Sequence, residues 1–299
     1  MSRVFVTGGT GVLGRRVLPQ LLADGHDVTA VVRSAAKAET VLAAGASPVV
    51  VDLFDRTSIT AAIDGHDAVA HLATSIPTGV AAAGKRGWRM NDRLRRDAAA
   101  LLSGAAIDAG VDRYVQESIT FPYADCGDTW IDETVDCDHF WGNATTVDAD
   151  AAASAVTEAG GSGVVLRFAM FMADDSAHMR TFAAMGGRGL WGVFGADDNY
   201  VSFVDVDDAA AAVVAALAVP AGIYNVAEAE PTTRGAHRAA LAAAAGRPRL
   251  RNLPGLVEKL GGAAAESLAR SQRISSDALA AVSGWSPQRR PIDTWERLT

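Results

Sequence analysis

The feature that most constrains the fold is the stretch RVFVTGGTGVLGRRV at residues 3–17. A short apolar strand leads directly into glycines at positions 8, 11 and 14, and an amphipathic helical segment follows. Glycines at this spacing allow a tight turn, a close approach of the backbone to a pyrophosphate, and close packing of helix on strand. The first turn of the helix offers free N–H groups to the phosphates. The stretch therefore predicts a nucleotide-binding strand–loop–helix unit.

The first 120 residues alternate short apolar runs with Ala-rich helical segments. The runs are continuously apolar, which is typical of parallel strands that are covered on both faces. They are RVFVT (3–7), DVTAVVR (27–33), SPVVVD (47–52), DAVAHLA (67–73) and DRYVQES (112–118). DGHD occurs twice, and its glycines, Gly25 and Gly65, suit the carboxyl ends of helices. This alternation of strands and helices predicts an α/β fold with a doubly wound parallel sheet of the Rossmann type.

A sixth strand is predicted at GVVLRFAMF (163–171), after a helix at about 145–159. Beyond it the alternation ends, and the segment 186–200 is rich in loop-forming residues. We therefore predict a dinucleotide-binding Rossmann domain over residues 1–169 and a smaller, discontinuous substrate-binding lobe over residues 170–299. The lobe is expected at the carboxyl edge of the sheet, where ligands bind in such folds.

Composition narrows the choice of partners. The chain has 299 residues and a net charge of −8, which argues against nucleic acid or an anionic membrane as the main partner. It has no run of about 18 apolar residues and no charged flank followed by an apolar segment, so neither a membrane span nor a secretory signal is expected. We predict a cytoplasmic protein that acts on a small molecule. Two cysteines without clustered histidines predict no metal site.

The segment TGGTGVLG resembles the short-chain dehydrogenase/reductase superfamily, in its extended or atypical branch of NAD-dependent epimerases and dehydratases. The resemblance continues along most of the chain, in Asp52, HLA at 71–73, Asn91, LRFAMF at 166–171, SFVDVDDAAAAVVAAL at 202–217 and GWSP at 284–287. It implies a dinucleotide held by Gly8, Thr10, Gly11, Val12, Leu13, Gly14, Asp52, Leu53, Leu72, Ala73, Thr74 and Phe168. Because the helices at 84–109 and 145–159 pair in many relatives, it also implies a possible homodimer.

The choice of nucleotide depends on the end of the second strand, VVRS. Sites that select NAD usually carry an acid there, which binds the ribose hydroxyls. Here the residue is Arg33, and a guanidinium can hold a 2′-phosphate through paired charge-assisted hydrogen bonds. Lys37 could add a second charge. The sequence therefore favours NADP(H), with NAD(H) as the alternative.

The superfamily's usual acid–base pair is missing. Its enzymes use a tyrosine hydroxyl as general acid/base, with a lysine four residues later that lowers the tyrosine pKa. The residues four positions after the four tyrosines are Ser118, Gly127, Val204 and Glu228. No lysine occurs between Lys85 and Lys259. Where the pair is expected, Phe140, Trp141 and Thr146 stand instead, so the usual mechanism is not available.

Polar residues remain in the segment QESITFPYAD at 116–125, which follows the fifth strand. We predict Ser118 or Thr120 in the superfamily's Ser/Thr role, which is to hold the substrate oxygen. Tyr123 is a further catalytic candidate that lines the pocket. Aromatic and methionine side chains predict a largely apolar pocket, namely Trp130, Trp141, Met170, Phe171, Trp191 and Phe194.

Three functions follow from these residues. The first is an NADP(H)-dependent oxidoreductase or isomerase of a small, largely apolar metabolite that works without the Tyr/Lys dyad. The second is a non-catalytic NADP(H)-binding redox sensor or regulator. The third is a non-redox enzyme that uses the nucleotide structurally. The sequence leaves all three open and does not identify the substrate.

Overall fold

The computed structural model describes residues 1–77, 81–82, 84–253 and 255–298, with only the backbone for 255–260. The strands are β1 Arg3–Thr7, β2 Asp27–Val32, β3 Ser47–Val50, β4 Ala68–His71, β5 Arg113–Ile119, β6 Trp130–Ile131, β7 Ser162–Phe168, β8 Met170–Met172, β9 Leu190–Trp191, β10 Tyr200–Val201, β11 Phe203–Asp205, β12 Gly222–Val226, β13 Thr232–Thr233, β14 Arg251–Asn252 and β15 Arg273–Ile274.

The helices are α1 Gly14–Ala23, α2 Ala38–Ala43, α3 Arg56–Ile63, α4 Lys85–Arg93, α5 Ala99–Asp108, α6 Thr146–Glu158, α7 Ala177–Gly187, α8 Val206–Ala215, α9 Arg234–Ala244, α10 Gly255–Ala269, α11 Asp277–Ser283 and α12 Thr294–Leu298. A π turn, Leu94–Ala98, joins α4 to α5. Together these three segments form one helix that runs from residue 85 to residue 108.

Within the described residues, the central sheet has seven strands in the order β12-β7-β5-β4-β1-β2-β3. Every neighbouring pair in it is parallel. Alternate residues of β1 enter two different cores, because Val4 and Val6 pack in one cluster and Phe5 in another. Helices α1 and α8 pack against each other, and they contribute to the first cluster. Helices α3, α5 and α6 contribute to the second. The predicted doubly wound parallel sheet is confirmed.

Two details of the sheet differ from the prediction. The strand predicted at 163–171 divides after Phe168, because β8 leaves the main sheet to pair with β11. The place beside β7 is taken by β12, whose residues 222–226 pair with 164–168. The sheet therefore has seven strands, and its last strand comes from the second half of the chain. The division into domains at residue 169/170 stays a prediction.

The carboxyl-terminal half holds the segment that follows β5. Arg270 Nη1 donates to the Tyr123 carbonyl at 3.1 Å, and Gln272 Nε2 donates to the same oxygen at 2.7 Å. Ser267 Oγ donates to the Phe121 carbonyl at 3.3 Å. A third core cluster within this half surrounds Trp191 and Trp295. These contacts place residues 267–272 against the segment that follows β5 at the carboxyl edge of the sheet.

Helix ends also follow the sequence. Gly25 and Gly65 adopt φ values of +84° and +68°, which confirms their predicted positions at the ends of α1 and α3. Across the described ranges, the structure contains no helix with both the length and the apolar character that a membrane crossing needs.

Candidate nucleotide and catalytic site

The glycine loop between β1 and α1 has three glycines in different surroundings. Gly8 has a φ of +74°, and a side chain there would meet the Leu72 carbonyl oxygen at 2.6 Å. A side chain at Gly14 would meet the Gly8 oxygen at 2.2 Å. Gly11 is exposed, and its side-chain position touches only the Gly8 oxygen, at 3.2 Å. Gly8 and Gly14 are therefore required for packing, while Gly11 leaves room for a ligand beside the helix N-terminus.

The other predicted nucleotide residues occupy the same edge of the sheet. Thr10, Val12, Leu53 and Ala73 are half-buried, Leu13, Leu72 and Phe168 are buried, and Asp52 and Thr74 are exposed. The Asp52 carboxylate accepts a hydrogen bond from the Phe54 N–H at 3.0 Å. Arg33 follows β2 directly and is exposed, and no described residue forms an ion pair with its guanidinium. The Arg33 guanidinium is therefore available to a phosphate.

A buried histidine connects β4 to the glycine loop. His71 Nε2 lies 3.2 Å from the Leu94 carbonyl, which can only accept, so this nitrogen carries the hydrogen. His71 Nδ1 then accepts from the Thr7 hydroxyl, at 2.6 Å. Burial lowers the pKa of His71 to about 4, so the ring is neutral at physiological pH. The sequence resemblance predicts that HLA lines the cofactor, but it does not predict that His71 joins Thr7 to the Leu94 carbonyl.

The three catalytic candidates lie at and after the end of β5. Ser118 is fully buried and its hydroxyl has no hydrogen-bond partner among the described residues, while Thr120 is 3% exposed. The Tyr123 hydroxyl donates to Asn225 Oδ1 at 2.9 Å and accepts from Arg167 Nη1 at 2.9 Å. Burial raises the pKa of Tyr123 to about 12. Tyr123 is thus held as a hydrogen-bonding group between Asn225 and Arg167.

His139 and Thr146 lie close together in the region where the superfamily's acid–base pair would be expected. Thr146 donates to the Asn143 carbonyl at 2.8 Å, and its hydroxyl lies 3.2 Å from His139 Nε2. Burial lowers the pKa of His139, so this ring is also neutral near pH 7. Phe140 and Trp141 pack edge to face at 5.5 Å. Arg167 forms an ion pair with Asp150 of α6 at 2.8 Å, and both of these charges act on His139.

One buried ion pair was missed at the sequence level. Arg95, in the π turn, donates from Nη2 to Glu117 Oε1 at 3.0 Å, and the two side chains are 1% and 5% exposed. Burial raises the pKa of Glu117, and the Arg95 charge offsets part of that rise. The only signal for the partner of Glu117 was an arginine next to an apolar stretch, RLRRDAAALL.

The predicted apolar pocket is brought together only in part. Met170 and Phe171 are half-buried after β7, and the Phe171 ring lies 5.2 Å from that of Phe168. Trp191 is instead buried in the third core cluster. Trp130 is 43% exposed and lies under the guanidinium of Arg273 at 4.1 Å. Trp191 therefore packs in the core and Trp130 packs against Arg273.

Comparison with known proteins agrees with this geometry. Residues 8–220 match a family described as NAD(P)H-binding. The chain is 30% identical over 302 residues to the 3-diazoavenalumate denitrifying reductase of a Streptomyces species. This alignment covers 95% of this chain and 96% of that protein. UDP-N-acetylglucosamine 4-epimerase from Bacillus cereus has a TM-score of 0.77 at 18% identity, over 100% and 98% of the two chains. A human epimerase family protein solved with NADPH has a TM-score of 0.79 at 20% identity, over 99% and 98%.

Proposed function

We propose that this chain, which belongs to the NAD(P)H-binding family, is an NADP(H)-dependent reductase of a small, largely apolar metabolite. One observation carries the proposal. A glycine loop lies at the same sheet edge as the buried Ser118 hydroxyl, which has no partner in the described part of the chain, and the sequence has no tyrosine followed four residues later by a lysine. A reductase with this site must use a substrate that accepts hydride without a proton from such a dyad.

The nucleotide side of the site fits NADPH. Gly11 leaves space at the N-terminus of α1, and Arg33 presents a free guanidinium at the end of β2. When bound, NADPH supplies the hydride. The protein orients the substrate and excludes water, and Ser118 donates a hydrogen bond to a substrate oxygen.

The name of the Streptomyces relative describes the reduction of a diazo compound with loss of nitrogen. Replacement of N₂ by hydride on an arenediazonium ion yields the arene, dinitrogen and the oxidised cofactor, and no proton is taken from the protein. Reduction of a ketone, in contrast, needs a proton for the new hydroxyl. The absent dyad therefore favours a diazo group over a ketone as the hydride acceptor, and we propose a hydroxylated aromatic diazo compound as the substrate class.

A turnover assay tests this function. The purified chain is mixed with NADPH deuterated at C4 and either a hydroxybenzenediazonium salt or a panel of aromatic ketones and enones. We expect NADPH oxidation, nitrogen release and deuterium on the ring carbon with the diazonium salt, and little reaction with the ketones. If neither the diazonium salt nor the ketones and enones caused NADPH oxidation, the proposal would be contradicted and the sensor hypothesis favoured.

Arg33→Ala is expected to weaken NADPH binding by about 1–3 kcal/mol, because a charge-assisted hydrogen bond to the 2′-phosphate is lost. NADH lacks this phosphate, so its affinity should not change. Equilibrium titration with both nucleotides measures the difference. Arg249→Ala, at another exposed arginine, is the matched control. An equal loss for NADPH and NADH would remove Arg33 from the phosphate site.

Ser118→Ala is expected to lower kcat roughly three- to tenfold, the effect of losing one neutral hydrogen bond. The NADPH dissociation constant should stay the same, because the serine lies beyond the glycine loop. Ser154→Ala, at an exposed serine of α6, provides the control. Steady-state kinetics with the substrate class above make the measurement, and an unchanged kcat would leave Thr120 as the candidate for this role.

A further inference from the structure

The π turn Leu94–Ala98 is the most unusual backbone feature of the site region. Such turns account for well under 1% of residues and are frequent at functional sites. This one interrupts an otherwise regular helix from residue 85 to residue 108. Two buried polar contacts start from it, and they lead to different parts of the site.

The first contact leads to the nucleotide loop. The Leu94 carbonyl accepts from His71 Nε2, and His71 Nδ1 accepts from the hydroxyl of Thr7. Thr7 is the last residue of β1 and directly precedes Gly8. The position of the π turn is therefore linked to the start of the glycine loop through three buried groups.

The second contact leads to the catalytic strand. Arg95, the next residue of the turn, pairs with Glu117, which directly precedes Ser118 in β5. Arg95 Nε and Nη1 are buried and have no partner among the residues that the structure describes. A buried ion pair with unsatisfied donors is a poor source of stability, because desolvation offsets the attraction between the charges. We therefore attribute to the Arg95–Glu117 ion pair a role in fixing the position of the end of β5.

We propose that Arg95 and Glu117 are positioning residues, whose ion pair holds Ser118 against the same π turn that holds the glycine loop through His71. The hydroxyl of Ser118 and the nucleotide loop are thereby fixed relative to each other by one helical turn. The effect on turnover rests on the proposed function, whereas the effect on the position of β5 does not.

The test is the double variant Arg95→Leu/Glu117→Leu, which removes both charges and leaves neither unpaired. Its matched control is Arg96→Leu/Asp97→Leu, because Arg96 and Asp97 form an exposed ion pair in the same turn. We expect amide exchange over residues 117–120 to accelerate about tenfold in the NADPH complex of the first variant. We also expect kcat to fall about tenfold or more, while the Kd for NADPH stays within about threefold. The control should change none of the three quantities, which are the exchange rate over residues 117–120, kcat and the Kd for NADPH.

Unchanged exchange over residues 117–120, together with unchanged kcat, would overturn the proposal. Faster exchange in a chain whose parent shows no turnover would uphold the positioning role and reject the proposed function. If the double-leucine variant does not fold, Glu117→Gln replaces it, since this change keeps the shape and an acceptor oxygen but removes the charge. Faster exchange over residues 117–120 is again expected, and unchanged exchange would again overturn the proposal.

Discussion

Replacement of Gly11 by valine is expected to abolish the binding of NADPH and NADH alike while the chain remains folded. The side-chain position of Gly11 meets only the Gly8 oxygen, at 3.2 Å, so a valine there points into open space beside the helix N-terminus. That space is where the pyrophosphate must approach the backbone. We expect the affinity for both nucleotides to fall by at least about a hundredfold, or about 3 kcal/mol. Equilibrium titration measures the affinity, and circular dichroism verifies the fold.

Two other glycines make the experiment specific. Gly187→Val is the control, because nothing lies within 4 Å of that side-chain position; it should leave both affinity and fold unchanged. Gly14→Val should instead disrupt the loop itself, since its side chain would meet the Gly8 oxygen at 2.2 Å. Retained nucleotide affinity in the Gly11→Val protein would show that the glycine loop is not the binding site.

The sheet could be predicted from local patterns because its buried strands are continuous apolar runs bounded by helix-ending glycines. Gly25 and Gly65 show this, since both adopt the positive φ that their sequence position requires. The strand that could not be placed was β12. Its sequence, GIYNV, resembles any short strand, and its pairing with β7 joins segments almost 60 residues apart. Strand pairing over such a distance in sequence depends on the packing of the whole chain.

In the candidate site, too, some residues could be predicted from local sequence and others could not. The glycine loop and Arg33 could be located because each requires a particular residue next to a recognisable strand. The contacts of His71 and Arg95 could not, because each depends on a partner supplied by tertiary structure. Arg95 is one of several arginines in RLRRD, and only folding shows that it is the buried one. The π turn that carries Arg95 has no sequence signature that distinguishes it from an ordinary helix.

Glu228→Gln is expected to change the pH dependence of the protein's stability. Glu228 is 5% exposed, and its Oε1 accepts from the Phe203 N–H at 2.9 Å. Burial raises its pKa from 4.5 to about 8 in the folded chain. The folded state therefore holds this proton more tightly than the unfolded state. The stability that Glu228 contributes is fully present below pH 4.5 and is lost as the pH rises through 8.

Glutamine keeps the acceptor for Phe203 but cannot ionise, so the variant should not show this loss. Between pH 5 and pH 8 we expect the wild-type protein to lose about 3 kcal/mol of unfolding free energy relative to Glu228→Gln. Urea unfolding at several pH values across this range gives the difference. Glu230→Gln, at an exposed glutamate two residues away, should follow the wild-type curve. If the difference between wild type and Glu228→Gln did not vary with pH, Glu228 would be ionised in the folded chain. Its carboxylate would then need a counter-charge stronger than Arg290, the cation that acts on it here.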